Sequence, residues 1–201
     1  MGAGIENSEI LETLSSLNSV LSQPVWLFGG VAVDFLVGRW TRPHGDIDLN
    51  TYTDYRETLT GELNAVGFFT SDTGWLTHWA RREAAWRLEV VFLERGPDDS
   101  GVLVITPEDS VGVPGRYATL AGYLDPNRYA TLDGVIFRVC SPAGEWLGRL
   151  QGTEIVSGRS LEPKIEHDRA LLESILSQEE LRCLRQAAIG SPAVVPKGAT
   201  R

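Results

Sequence analysis

The sequence is poor in cysteine, with two residues (Cys140 and Cys183) among 201 and no CxxC spacing. That excludes a disulfide framework or a cysteine-rich zinc site and suits a reducing, cytoplasmic setting. No apolar run approaches the roughly 18 residues that a membrane span needs. The N-terminus has no basic stretch followed by an apolar core, so no secretory signal is expected. Runs of lysine or arginine are also missing. With 18 basic and 27 acidic residues the formal net charge is −9. Such a chain repels nucleic acid and suits a small cationic ligand better than a polyanion. No internal repeat is present.

What is there is ordinary globular material, 42% hydrophobic and 22% charged. It is enough for one domain with a sizeable core, or a domain with a small helical appendage. Ile10, Leu11, Leu14, Leu17, Val20 and Leu21 fall at helical spacing, with Asn7 or Ser8 as the cap and Pro24 as the stop. Residues 25–28 read as a short strand, followed at once by Gly29-Gly30, a helix over 31–37 and a stop at Gly38. Residues 41–45 form a loop, 46–52 alternate like a strand, and 55–66 read as a helix. Strands over 75–80 and 86–94 are expected to form a hairpin, with further strands over 102–105 and 134–139. Ser141-Pro142 punctuates the chain and caps a helix running to Leu150, and two more helices follow over 162–176 and 178–188. Mixed elements followed by helices alone predict an α/β or α+β domain with parallel and antiparallel pairings in its sheet and a helical C-terminal part. The expected division is a domain over 1–140, a helical part over 141–189 and a disordered tail over 190–201, rich in Gly, Pro, Ala and Ser.

Three pieces carry chemistry. Gly29-Gly30 stands at a strand-to-helix junction, where two glycines let a backbone approach a ligand and a helix N-terminus offers N–H groups to phosphate; a plain tight turn reads the same way. Asp46 and Asp48 lie two apart on a strand, so both carboxylates project from one face while Ile47 points into the core. Carboxylates that close repel unless a cation sits between them, and Mg²⁺ favours such oxygens together with triphosphates; a solvated strand edge is the alternative. Glu89 interrupts the apolar strand Trp86-Arg87-Leu88-Glu89-Val90-Val91-Phe92. It reads as a metal ligand, a general base, or an outward residue sharing a face with Arg87 and Val91.

Together these residues have a family likeness. Leu27-Phe28-Gly29-Gly30-Val31-Ala32-Val33-Asp34, followed by Gly38-Arg39-Trp40-Thr41-Arg42-Pro43-His44-Gly45-Asp46-Ile47-Asp48-Leu49, resembles the aminoglycoside 2''-O-nucleotidyltransferases and the lincosamide nucleotidyltransferases. Both belong to the DNA polymerase β-like nucleotidyltransferase superfamily. The resemblance spans most of residues 25–175, with the specific motif confined to 27–49. Glu89 matches the third carboxylate, and Pro163-Lys164 with Asp168, Leu171 and Leu172 resembles the family's lysine-plus-aspartate helix. The chain departs from the pattern at Ile165, where an acidic residue is expected, and in lacking a lysine after Ser141-Pro142.

The resemblance implies an α+β, polymerase β-like fold, a mixed sheet flanked by helices. It implies an enzyme that moves a nucleoside monophosphate from an NTP, ATP rather than GTP, to a hydroxyl of a small cationic acceptor, an aminoglycoside-like antibiotic. Asp46, Asp48 and Glu89 would hold Mg²⁺, with Glu89 also the candidate base. Gly29, Gly30, Arg42 and Lys164 would contact the triphosphate. His44 either orders its loop, the preferred reading, or hydrogen-bonds the metal site; His78 and His167 have no identifiable metal partner; Trp75, Trp79 and Trp86 pack the sheet, the preferred reading, or line an acceptor pocket. Competing readings are a lincosamide or another hydroxylated metabolite as acceptor, a toxin-like transfer to protein or tRNA, and a non-catalytic nucleotide-binding module. No membrane partner is expected, nucleic acid is disfavoured by charge, and a homodimer remains open.

Overall fold

The computed structural model describes residues 5–70, 76–80, 87–107, 109, 114–155 and 163–190. Among them the chain opens with α1 (Asn7–Val20), β1 (Trp26–Phe28), α2 (Gly29–Val37) and β2 (Asp46–Tyr52). A 3₁₀ turn at Thr53–Tyr55 leads into α3 (Arg56–Ala65), then β3 (Phe69–Thr70), β4 (Leu76–Ala80), β5 (Arg87–Arg95), β6 (Gly101–Ile105) and β7 (Gly115–Ala118). A hairpin of β8 (Tyr129–Leu132) and β9 (Val135–Arg138) precedes α4 (Pro142–Ile155), α5 (Pro163–Ile175) and α6 (Gln178–Gly190). No helix among the described residues is long and apolar enough to cross a membrane.

The main sheet runs β1-β2-β5-β4-β3, with β6 on β5 and β7 on β6. The β2–β5 pair is parallel and the rest are antiparallel, which is the expected mixture. The hairpin of β4 and β5 forms, although its connection lies outside the described residues, as do Trp75, Trp86 and the tail beyond Gly190. Strands β3, β7 and β8 were not expected. β3 is two exposed residues, and β7 and β8 are four residues each without a regular apolar alternation, so neither length nor alternation announces them. The α1 cap also differs: Glu6 holds the N-cap position with no side-chain hydrogen bond, in place of Asn7 or Ser8. Ile5 bridges to His44, which fixes where the chain turns into the helix.

Alternation along β2 and β5 divides the interior. Ile47, Leu49, Leu88, Val90 and Phe92 face α1 and α3 through Ile10, Leu14, Leu17, Leu59 and Leu63. Trp79 is fully buried in the same layer and packs the sheet as expected. On the opposite face Val91, Leu93 and Tyr52 meet Trp26, Tyr123, Leu124 and Cys140. Helix α2 is apolar nearly all round because it is covered on both sides. Val31, Ala32 and Phe35 join the sheet core, while Val33 clusters with Trp146, Leu147, Leu172, Leu181 and Leu184 of the last three helices and with Leu176 just after α5. The helix therefore begins at Gly29, between the sheet and the C-terminal helices.

Candidate functional site

Parallel pairing of β2 with β5 places Asp48 opposite Glu89, and antiparallel pairing with β1 places it opposite Phe28, immediately before Gly29. Side-chain alternation turns Asp46, Asp48 and Glu89 to the same face. One carboxylate oxygen from each lies within 4.8 Å of the others, and each residue keeps partial solvent access. Burial, and then the charges of Asp46 and Glu89, push the Asp48 carboxyl well up from its ordinary value; Arg149 opposes this and Glu145 adds to it. Three hard oxygen donors crowded in this way, at the cost of mutual repulsion, fit a divalent cation. Arg87 partly offsets the charge, its Nε lying 2.9 Å from Glu89 Oε1.

The two glycines are required by close approach. Gly29 has φ +76°, and a Cβ there would stand 2.0 Å from Asp48 Oδ2. A Cβ on Gly30 would stand 2.2 Å from Arg42 Nη2 and 2.9 Å from His44 Nδ1. The carboxylate and the guanidinium thus both press on the start of α2, where N–H groups are free of helical partners.

Behind this face lies a buried polar network. Arg42 forms a two-point pair with Asp168 of α5, Nε to Oδ1 at 3.1 Å and Nη2 to Oδ2 at 3.0 Å. Arg149 of α4 approaches both Asp168 and Glu145 at 3.4 Å. Glu145 Oε2 accepts the Gly29 N–H at 3.0 Å, and its Oε1 accepts the Tyr123 hydroxyl at 2.8 Å. Burial raises the Glu145 carboxyl, against the lowering influence of Arg149 and of its two hydrogen bonds. His44 is buried, with Nδ1 3.3 Å from Arg42 Nη1 and Nε2 2.7 Å from Asp34. A guanidinium only donates, so the ring accepts at Nδ1 and donates from Nε2 to Asp34. Thr41 donates to the other Asp34 oxygen. His44 therefore orders its loop, as expected. A cavity of ≈ 500 Å³ lined by Ile5, Glu6, Trp40, Arg42 and Pro43 shares Arg42 with this network but none of the three carboxylates.

Of the residues anticipated from sequence, Asp46, Asp48, Glu89, Gly29, Gly30 and Arg42 converge. Lys164 stands exposed on the first turn of α5, one turn before Asp168 and on its side of the helix. His167 is exposed. Glu145, Arg149, Asp34, Asn50 and Tyr123 were missed. The available signal was a carboxylate inside an apolar helix: Asp34 in Val33-Asp34-Phe35 and Glu145 beside Trp146 both demand a partner once buried.

The family model described as aminoglycoside-2''-adenylyltransferase matches residues 8–145. Similar solved structures include the lincosamide antibiotic adenylyltransferase LnuA with lincomycin bound, 20% identical with TM-score 0.61, covering 87% of this chain and 100% of that one. ANT(2'')-Ia in complex with adenylyl-2''-tobramycin is 19% identical with TM-score 0.67, covering 90% of this chain and 95% of that one. The solution structure of the antibiotic-resistance factor ANT(2'')-Ia gives 17% identity and TM-score 0.67, with coverages of 90% and 92%. No curated protein matches the sequence. The fold is α+β and polymerase β-like, as the motif implied.

Proposed function

Because the chain belongs to the aminoglycoside-2''-adenylyltransferase family and is thus a nucleotidyltransferase of the antibiotic-resistance type, we propose that it transfers a nucleoside monophosphate from a Mg²⁺-bound NTP, preferably ATP, to a hydroxyl of a small cationic acceptor. The acceptor class that best suits the family and the net charge of −9 is an aminoglycoside. A cytoplasmic location fits a reaction that consumes an NTP. The observation that carries this reading is the convergence of Asp46, Asp48 and Glu89 beside the glycine pair that opens α2.

Asp46, Asp48 and Glu89 would hold the cation, which supplies charge neutralisation to the phosphates when bound. Gly29, Gly30 and the start of α2 cradle the triphosphate, which meets the N–H groups beyond that of Gly29, already held by Glu145, with Arg42 at Gly30 and Lys164 on α5 as cationic contacts. The acceptor oxygen forms a bond to the α-phosphorus, the bond to the bridging oxygen breaks, and pyrophosphate leaves. Glu89 takes the hydroxyl proton. The protein's contribution is positioning and electrostatics.

The test is pyrophosphate release with Mg²⁺-ATP and Mg²⁺-GTP against a panel of aminoglycosides and lincosamides, beside Asp48→Asn. Release that requires an aminoglycoside and vanishes in the variant is the expected result. Release with a lincosamide alone reassigns the acceptor. Nucleotide binding without release from any member refutes the small-acceptor reading.

A further inference from the structure

We propose that Glu145 is a positioning residue for Asp48, acting through the backbone of Gly29. This rests on the reading of the three carboxylates as a metal site. The hydrogen-bond partners of Glu145 are the Gly29 N–H and the Tyr123 hydroxyl, and Glu145 is almost wholly buried, its side chain 1% exposed. The start of α4 is set beside the start of α2, because the Cys140 N–H donates to Leu27 O at 2.9 Å and Ser141 Oγ caps the helix at the Gly144 N–H. Glu145 therefore faces the first amide of α2.

A buried carboxylate is costly where an apolar side chain would fill the same space, unless its hydrogen bonds accomplish something. Both Glu145 oxygens are committed: one to the Gly29 N–H at 3.0 Å, the other to the Tyr123 hydroxyl at 2.8 Å. Tyr123 is in turn held by Asn50 Nδ2 at 3.0 Å, and Asn50 lies on β2 two residues beyond Asp48, on the same face. Glu145 thus links α4 and β2 to Gly29, a backbone position that the Asp48 carboxylate packs against. Gly29 must hold φ +76° to leave that carboxylate its room. The acceptor oxygen of Glu145 fixes the peptide that sets this angle. Without it the Gly29 amide is unpaired, and either that peptide turns or water enters, and Asp48 moves relative to Asp46 and Glu89.

The experiment measures Mn²⁺ binding to the full-length protein by electron paramagnetic resonance, with a non-hydrolysable ATP analogue present, beside steady-state turnover. Partners that orient metal ligands typically contribute 10- to 100-fold in metal affinity, so Glu145→Ala is expected to weaken Mn²⁺ binding by about 10-fold and to lower kcat with the acceptor KM unchanged. Glu145→Gln keeps an oxygen for the Gly29 N–H and is expected to recover most of the affinity. Should Glu145→Ala not fold, Glu145→Asp is too short to reach that amide and is expected to show the same loss. Mn²⁺ affinity within about twofold of wild type in the shortened variants overturns the inference, as does Glu145→Gln behaving like Glu145→Ala. Mn²⁺ binding with the expected pattern but no turnover ends the proposed activity alone. No Mn²⁺ binding by the wild-type protein overturns both.

Discussion

Replacing Gly29 with alanine separates backbone strain from damage to the site, because Gly38 supplies a matched control. Both glycines lie in the left-handed region, at φ +76° and +72°. An L-residue there costs about 1–2 kcal/mol, offset by roughly 0.4–1 kcal/mol from the stiffer unfolded chain. Gly38→Ala meets nothing within 4 Å, so it is expected to lower unfolding free energy by about 1 kcal/mol and leave turnover intact. Gly29→Ala likewise places an L-residue at positive φ, but its Cβ falls 2.0 Å from Asp48 Oδ2 and 2.8 Å from Cγ. Real Cβ contacts do not fall below 3.0 Å, so the carboxylate must retreat by 1 Å or more. Misplacement on that scale costs on the order of 100-fold in rate. Urea unfolding monitored by tryptophan fluorescence reads the first quantity, and pyrophosphate release reads the second. Turnover within about threefold of wild type in Gly29→Ala, or an equal loss in Gly38→Ala, refutes the reasoning.

Arg42→Ala leaves Asp168 buried with Arg149, at 3.4 Å, to offset its charge. Breaking a buried pair costs about 3–5 kcal/mol, and Arg149 reduces this to roughly 2 kcal/mol; a urea-unfolding double-mutant cycle with Asp168→Ala should return a favourable coupling. Cys140 is buried and Cys183 exposed, so Ellman's reagent at about pH 8 should modify Cys183 alone in the native protein and both thiols after denaturation. Burial, and then the Glu145 charge, push the Cys140 thiol well above 9.0. A group whose folded value is raised contributes stability that is full below its unfolded value and lost as pH rises, so stability should decline as pH climbs above 9.0. Cys140→Ala should remove that part of the slope, as read by urea unfolding at a series of pH values.

The fold was legible where hydrophobic period is strong. Helices α1, α4, α5 and α6 and strands β2 and β5 fall within a few residues of their expected positions, because apolar spacing is a local property that any stable packing must respect. Legible too was the core of the site. Asp46 and Asp48 share a face by the two-residue repeat of a strand, and Gly29-Gly30 must stand where a strand enters a helix. Strands of four residues such as β7 and β8 were not legible, since so short a segment shows no clear period until its pairing partner is in place.

Side-chain alternation and helical period over a few residues were enough to put Asp46 and Asp48 on one face, the glycine pair at a helix start and the longer elements in order, while Glu89 as third carboxylate came from the family resemblance. Tertiary structure alone decided that β5 runs parallel to β2, which sets Glu89 opposite Asp48. It also decided that α4 and α5 close over α2, bringing Glu145 to Gly29, 116 positions away, and Asp168 to Arg42, 126 positions away. The cause is desolvation. Each buried carboxylate had to find a donor, but which donor depended on how helices α2, α4 and α5 pack, and separation along the chain carries no record of that.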